Sequence, residues 1–142
     1  MIRLASDGDR ASIAHLVRHH GAGWSALSVY GTLDAPATRS FVAEHEGRLA
    51  GVLLVAIAAD ECSILDLVVD VSARRRGLAR ALLLAAVTDW NACGVTKAFL
   101  EVRAGNDAAR ALYESMGWRT VGIRLGYYAD GADAAHLIWE SS

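Results

Sequence analysis

The segment of residues 66–84 constrains the fold of this chain more than any other part of its sequence. It begins as an apolar, β-branched run, crosses a short polar turn, and continues from Gly77 as a long apolar helix. Three consecutive arginines and a glycine occupy the turn, and no acidic residue lies among them. Such a helix start combines free backbone N–H groups with positive charge, which favours an anion such as phosphate. The segment therefore predicts a strand, an anion-binding turn and a buried helix in succession.

The hydrophobic pattern predicts one mixed α/β domain over residues 1–142, with its elements in the order β-α-(α)-β-β-β-α-β-α-β-β. Strands are expected at residues 2–4, 41–45, 49–58, 63–69, 97–102, 118–124 and 135–139. Helices are expected from Asp7 or Asp9 to about Gly21, briefly from Ser25, at residues 77–92 and at residues 107–116. The apolar face of the first helix comprises Ile13, Leu16 and Val17. A chain of 142 residues is long enough to bury a substantial core as a single domain.

The charge balance and the apolar runs argue against two classes of partner. The net charge is −2, whereas nucleic-acid-binding domains are usually basic. The longest apolar run, residues 52–59, is far shorter than the ~20 residues of a membrane span, and no signal-peptide pattern is visible. We therefore expect a cytoplasmic protein that binds neither nucleic acid nor membrane.

The cysteines and histidines do not predict a metal site. Cys62 and Cys93 lie far apart within apolar segments, and we expect both to be buried thiols in a reducing compartment. His15 and His19 are four residues apart on a predicted helix, but no cluster of Cys, Asp or Glu completes a zinc site. His136 is isolated in the sequence. We expect no bound metal.

The polar turn reads Arg74-Arg75-Arg76-Gly77-Leu78-Ala79, which fits the pattern Arg/Gln-x-x-Gly-x-Gly/Ala. Small residues at the last two fixed positions let backbone N–H groups approach a pyrophosphate closely. The turn lacks the Gly-Lys-Ser/Thr of a Walker loop, and its glycine spacing differs from that of a dinucleotide fingerprint. Taken alone, the same residues also fit a solvated corner before a helix.

The order of motifs resembles that of the GCN5-related N-acetyltransferases (GNAT) over nearly the whole chain: strand, arginine turn, long apolar helix, strand, then Asn106 and Tyr113 on a second helix. Within that superfamily, residues 100–106, 111–118 and 126–128 resemble the ribosomal-protein-alanine N-acetyltransferases (RimI), as does the pair Trp24-Ser25. The resemblance implies a central mixed, mostly antiparallel sheet flanked by helices. It also implies that the parallel fourth and fifth strands splay apart to bind acetyl-CoA.

The resemblance implies a role for each matching residue. Glu101 corresponds to the family's general base, Tyr113 to its general acid and Asn106 to an asparagine that contacts the cofactor. Backbone atoms of the fourth strand would bind the pantetheine arm and the thioester carbonyl, at Leu67, Val68 and Val69. The pyrophosphate would lie on Arg74, Arg75, Arg76, Gly77, Leu78, Ala79 and Arg80. The acceptor channel would include Trp24, Tyr127 and Tyr128.

The implied roles make chemical sense, and plainer ones stay open. An α-amine with a pKa of about 8 must lose a proton before it attacks a thioester, and the leaving thiolate must gain one. A carboxylate and a phenol can perform these two transfers. However, Glu101 also fits a charged strand end, Tyr113 fits core packing and Asn106 fits a helix cap. Tyr127 and Tyr128 also fit strand aromatics that pack on the sheet.

Two segments depart from the family pattern. After Tyr128 the chain reads Ala-Asp-Gly-Ala-Asp-Ala-Ala-His, where the family usually has a proline and a Gly-Arg-Glu-Asp-like run, and residues 21–39 agree poorly apart from Trp24-Ser25. Both segments flank the acceptor site of this fold.

The expected acceptor is the N-terminus of a protein, such as a ribosomal protein. A small amine, an antibiotic or an internal lysine is the alternative, and a non-catalytic acyl-CoA-binding module is a remoter one. The sequence leaves open whether the protein is a monomer or a homodimer.

Overall fold

The computed structural model describes residues 1–20 and 24–141. The predicted end of the first helix near Gly21 lies outside the described residues. The strands are β1 (Ile2–Leu4), β2 (Thr38–His45), β3 (Arg48–Ala58), β4 (Glu61–Val69), β5 (Lys97–Arg103), β6 (Arg119–Arg124) and β7 (Ala134–Glu140). The helices are α1 (Arg10–His20), α2 (Ala26–Asp34), α3 (Leu78–Ala92) and α4 (Asp107–Ser115). The predicted order of elements is confirmed.

Within the described residues, seven strands form one sheet in the order β1-β2-β3-β4-β5-β7-β6. The neighbouring strands of this sheet pair antiparallel, except β4 and β5, which pair in parallel. The mixed, mostly antiparallel sheet that the resemblance implied is therefore confirmed. Strand β2 begins three residues earlier than predicted. Residues 38–40 are polar and give no hydrophobic strand pattern, but they pair in register with β3.

The parallel strands β4 and β5 are paired only at their beginnings. Their register joins Glu61 to Lys97, Cys62 to Ala98, and Ser63 to Phe99. Directly afterwards β4 carries a bulge, because Val55 and Leu54 of β3 face Ile64 and Asp66, which leaves Leu65 as an extra residue. A bulge bends its strand and increases the local twist. We call the gap that follows between the two strands the opening.

Each face of the sheet carries its own apolar core. Helices α1 and α2 cover one face, where Ile13, Leu16, Val17 and Val29 pack on Val42, Val52, Leu54 and Val68. The predicted apolar face of α1 is thus confirmed. On the other face, Leu82, Leu83 and Trp90 of α3 pack with Phe41, Leu53, Leu100, Tyr113, Trp118 and Trp139. The ring of Trp90 lies 6.2 Å from that of Trp118 and 5.5 Å from that of Trp139.

One local expectation is confirmed and another is wrong. The first helical turn begins at Asp7, one of the two starts that the sequence allowed, and its N-cap is Ser6, whose backbone N–H donates to the carboxylate of Asp9. Cys62 is buried, and its burial raises the pKa of the thiol to about 12. Cys93, in contrast, is exposed, because it follows the last residue of α3, where the chain turns away from the core. Within residues 1–20 and 24–141, no helix is long and apolar enough to cross a membrane.

Two leucines of α3 test how this helix packs. Leu82 is fully buried, whereas Leu84 is 52% exposed on the same helix. We expect Leu82→Ala to lower the free energy of unfolding by about 2–5 kcal/mol, because it leaves a cavity in the core. The matched change Leu84→Ala should alter it by no more than about 0.5 kcal/mol. Denaturant unfolding measures both values, and equal losses would contradict the orientation of α3.

Candidate active site

The opening exposes backbone groups of β4. Asp70 donates its N–H to the carbonyl oxygen of Ala50 on β3 at 2.8 Å. Because such bonds alternate along an antiparallel strand, the backbone groups of Val68 also face β3, and those of Leu67 and Val69 face the opening. The Nε of Arg74 accordingly donates to the Val69 carbonyl at 3.3 Å. Of the three predicted cofactor-binding residues on β4, Leu67 and Val69 therefore present backbone groups, and Val68 contributes a buried side chain.

The arginine turn, residues 74–80, leads from the end of β4 into α3. Gly77 is the N-cap of α3 with a φ of 73°, a left-handed conformation that suits glycine, and no side chain caps this helix. The first N–H groups of α3 therefore lack intrahelical partners and remain available to a ligand. A cavity of about 250 Å³ lies here, lined by Val69, Ala73, Arg74, Arg75, Gly77, Leu78, Ala79, Arg80 and Leu112.

The arginines of this turn differ in their contacts. Arg80 donates to the hydroxyl of Ser115 at 2.7 Å and so connects α3 to α4. The side chains of Arg75 and Arg76 make no hydrogen bond or ion pair with any part of the chain that the structure describes. Their charge is thus not neutralised internally, and Arg76 does not line the cavity. The structure brings together all the predicted turn residues except Arg76.

Tyr113 of α4 and Glu101 of β5 line one cavity of about 280 Å³ at the opening. They arrive from opposite faces of the sheet. Leu100 belongs to the core on the α3 face, so the alternation of side chains along β5 places Glu101 on the face of α1 and α2. Tyr113 belongs to the core on the α3 face. The two predicted catalytic side chains share a cavity only because β4 and β5 have separated between them.

Tyr113 is held as a neutral phenol. Its side chain is buried against Trp118, with ring centroids 5.6 Å apart. Burial raises the pKa of Tyr113 well above its ordinary range, and the negative charge of Asp66 raises it further. The phenol therefore keeps its proton at neutral pH, as a proton donor must.

Glu101 is bound through one of its two oxygens. Its Oε1 lies 2.9 Å from Nδ1 of His136 and 3.3 Å from Nε of Arg124. Its Oε2 is buried and makes no hydrogen bond within the described residues. The expectation that His136 is isolated is wrong, since the register of β5 and β7 places it directly opposite Glu101. The signal available in the sequence was a single histidine within the otherwise apolar residues 134–139.

Asn106 acts as the N-cap of α4. Its Oδ1 accepts the N–H of Ala109 at 3.1 Å, so the cap that the sequence left open is present. Its side chain also lines the cavity of Tyr113 and Glu101. Because the cap uses only the amide oxygen, the amide N–H groups stay available to a ligand.

Asp66 is a site residue that the sequence reasoning missed. Its carboxylate accepts the indole N–H of Trp24 at 2.8 Å and the backbone N–H of Leu67 at 2.9 Å. It lines the same cavity as Glu101 and Tyr113, on the opposite side of the opening from β5. The hydrogen bond also fixes Trp24, a predicted acceptor residue, beside β4. A carboxylate inside the otherwise apolar residues 64–69 was the signal that could have identified it.

Tyr127 and Tyr128 lie in the connection between β6 and β7, not in a strand, so the simple reading as strand aromatics is wrong. They line a second cavity of about 550 Å³, with Phe99, Glu101 and His136. Their rings meet edge to face at 5.1 Å. The guanidinium of Arg103 lies 4.5 Å from the ring centre of Tyr128, a cation–π arrangement. Both cavities share Glu101 and Tyr128, so they form one continuous groove across the opening.

The described residues contain no group of three or more His, Cys, Asp or Glu side chains that could hold a metal ion. The polar groups of the groove are instead carboxylates, phenols, one imidazole and backbone amides. Together they can bind an anion at one end, and they can accept and donate protons at the opening.

Known proteins match this chain in sequence and in fold. A sequence model of the acetyltransferase (GNAT) family matches residues 11–118. The chain is 34% identical over 123 residues to the ribosomal protein bS18-alanine N-acetyltransferase of Escherichia coli strain K12, a match that covers 85% of this chain and 82% of that protein. It is 31% identical over 117 residues to a putative enzyme of the same name from Bacillus subtilis, covering 82% and 78%. The crystal structure of the ribosomal-protein-S18-alanine N-acetyltransferase from Escherichia coli superposes with a TM-score of 0.91 at 31% identity, covering 100% of this chain and 94% of that one. These matches confirm the resemblance that the motifs predicted.

The raised pKa of Tyr113 can be measured directly. An exposed tyrosine has a pKa of about 10. We expect Tyr113 to ionise only at a pH well above that value. Because the folded state holds this proton more tightly than the unfolded state, the stability that results is complete below about pH 10 and is lost as the pH rises further. Titration of tyrosinate absorbance should therefore show a late step that Tyr113→Phe removes. Tyr127→Phe, which removes a phenol that is 49% exposed, should keep that step, and a late step that survives in Tyr113→Phe would contradict the assignment.

Proposed function

The chain belongs to the acetyltransferase (GNAT) family and is an acetyl-CoA-dependent N-acetyltransferase, and from this premise we propose that it acetylates the N-terminal α-amine of a protein. Its first candidate acceptor is the N-terminus of a ribosomal protein, because the relatives described above are alanine N-acetyltransferases of ribosomal protein bS18. We propose that residues 1–142 act as one catalytic domain. The main observation that supports this proposal is the opening between β4 and β5, because Glu101 and Tyr113 line it from opposite faces of the sheet.

We propose that the donor lies along the α3 side of the opening. The uncapped start of α3 and the unneutralised charges of Arg75 and Arg76 suit the pyrophosphate of acetyl-CoA. The backbone groups of Leu67 and Val69 that face the opening suit the amides of the pantetheine arm. The free amide N–H groups of Asn106 extend this contact surface. Bound acetyl-CoA supplies an activated acetyl thioester, and the residues of the chain hold and orient it.

The chemistry requires two proton transfers. Glu101 accepts the proton that the acceptor ammonium must lose, directly or through water. The neutral amine then attacks the thioester carbon, so that a C–N bond forms as the C–S bond breaks. Tyr113 donates its proton to the leaving thiolate. A phenol carries its proton at neutral pH, so Tyr113 has one to give.

The negative charges on the acceptor side of the groove favour binding of a cationic substrate. Asp66 and Glu101 flank the opening on this side and favour an ammonium group by charge. Trp24, Tyr127 and Tyr128 are the predicted acceptor residues, and the tyrosines line the groove beside Glu101. Residues 24–39 and 129–136 depart from the family pattern, and we propose that they flank the same side. They favour a small-molecule amine, an antibiotic or an internal lysine as the alternative acceptor.

The two catalytic assignments predict separable kinetic defects. Glu101→Gln and Tyr113→Phe should each lower kcat by about 100-fold or more, because each removes one proton transfer from the transition state. Neither variant should change the affinity for acetyl-CoA. Arg75→Ala is the contrasting variant, for which we expect a higher KM for acetyl-CoA and a nearly unchanged kcat. Steady-state kinetics and calorimetry with CoA distinguish these outcomes, and wild-type rates in both catalytic variants would refute the assignments.

The acceptor can be identified with a panel of amines. We expect acetylation of a peptide that begins with a free N-terminal alanine, because the named relatives modify alanine. The same peptide with a blocked N-terminus and one internal lysine is the matched control, and mass spectrometry locates the acetyl group. Polyamines, amino acids and aminoglycosides complete the panel. Transfer only to the lysine or to a small amine would favour the alternative acceptors, and CoA binding without any transfer would indicate a non-catalytic module.

A further inference from the structure

The carboxylate of Glu101 is held asymmetrically. Two groups contact its Oε1: Nδ1 of His136 forms a hydrogen bond at 2.9 Å, and Nε of Arg124 forms an ion pair at 3.3 Å. Its Oε2 is buried and makes no hydrogen bond to the rest of the described chain. The two contacts fix the orientation of the carboxylate. One oxygen is therefore occupied, and the other can receive a proton.

The sheet register builds this arrangement from three strands. His136 of β7 lies directly opposite Glu101 of β5. On β6, Thr120 faces Leu137 and Gly122 faces His136, so Val121 is an extra residue that shifts the alternation. Arg124 thereby lies opposite Ala134, on the same face as Glu101 and His136. Without this bulge, Ile123 would occupy that face in place of the arginine.

The contact also defines the state of the imidazole. An ionised carboxylate only accepts hydrogen bonds, so Nδ1 of His136 must carry the proton that it donates to Glu101. The ring stacks on Phe99 with centroids 6.1 Å apart and planes 13° apart, which holds it in this orientation. His136 is thus fixed on two sides, by a hydrogen bond and by an aromatic neighbour.

We propose that His136 and Arg124 are positioning residues, which bind Oε1 of Glu101 so that Oε2 accepts the proton of the acceptor amine. This inference rests on the proposed function of Glu101 as the base. The other ionisable side chains that line the same groove are Asp66, Arg103, Tyr113, Tyr127 and Tyr128. Among the described residues, His136 forms a hydrogen bond with the Glu101 carboxylate and Arg124 forms an ion pair with it.

Paired variants of His136 test the donor. His136→Leu removes it, whereas His136→Asn keeps an amide N–H close to the place of Nδ1. We expect His136→Leu to lower kcat by about tenfold or more, since it removes a hydrogen bond to a charged group. It should leave the KM for acetyl-CoA unchanged, so the loss should appear in kcat alone. His136→Asn should restore most of the rate, and equal rates for the two variants would overturn the proposal.

Arg124 offers a second comparison if His136→Leu fails to fold in a thermal unfolding control. Arg124→Leu should lower kcat, whereas Arg119→Leu should not. Arg119 lies on the same strand and pairs with Glu140 at 2.6 Å, away from the groove. This control separates a loss at Glu101 from the general effect of removing an arginine from β6. Equal kinetics for the two arginine variants would also overturn the proposal.

A measurement that needs no turnover separates this inference from the proposed function. Nitrogen NMR of the imidazole should show His136 protonated at Nδ1 in the wild-type protein, and Glu101→Leu should change that signal. If the protein acetylates no amine but this signal is present, the proposed function fails and the contact stands. If Nδ1 carries no proton while the enzyme is active, the proposed function stands and the positioning role fails.

Discussion

The structure depends on the loss of hydrogen bonding between two parallel strands after three residue pairs. A parallel ladder normally continues along both strands, and an open strand edge exposes unpaired N–H and C=O groups. Here the bulge at Leu65 bends β4 away from β5 directly after Ser63. The backbone groups of Leu67 and Val69 that lack a strand partner thereby become available to a ligand. The interruption of the sheet thus creates the candidate site, and an apolar core lies on each face of the sheet beside it.

The same defect brings the two predicted catalytic side chains to one groove. A closed sheet would isolate Tyr113 on the α3 face from Glu101 on the face of α1 and α2. Once the strands diverge, both side chains line one groove, and a thioester lying in the opening would be accessible from both faces. The environments of the two side chains also differ. Burial raises the pKa of the Tyr113 phenol, whereas the Glu101 carboxylate contacts an imidazole and a guanidinium.

The contiguous part of the candidate site could be recognised from the sequence more easily than the part that long-range contacts assemble, for a physical reason. The residues from Leu67 to Arg80 are contiguous, so a strand, a turn and a helix start could be recognised together from local patterns. Asp66 and His136 gave only a weak signal, a single polar residue within an apolar strand. Their roles depend on partners 42 and 35 residues away, Trp24 and Glu101, which local periodicity cannot identify. The exposure of Cys93 was missed for a similar reason, since it depends on where α3 leaves the core.

Register explains why the environment of Glu101 in particular could not be read from the sequence. Residue 101 is one charged position on a strand, and its chemistry depends on which residues of β6 and β7 lie on its face. A single extra residue, Val121, selects Arg124 for that face instead of Ile123. A shift of one residue in β6 would replace Arg124, and a shift in β7 would replace His136, yet either would leave the motif Leu-Glu-Val-Arg unchanged. A family motif can therefore point to a candidate base, whereas the pairing of the strands beside it determines which groups contact that carboxylate and through which oxygen.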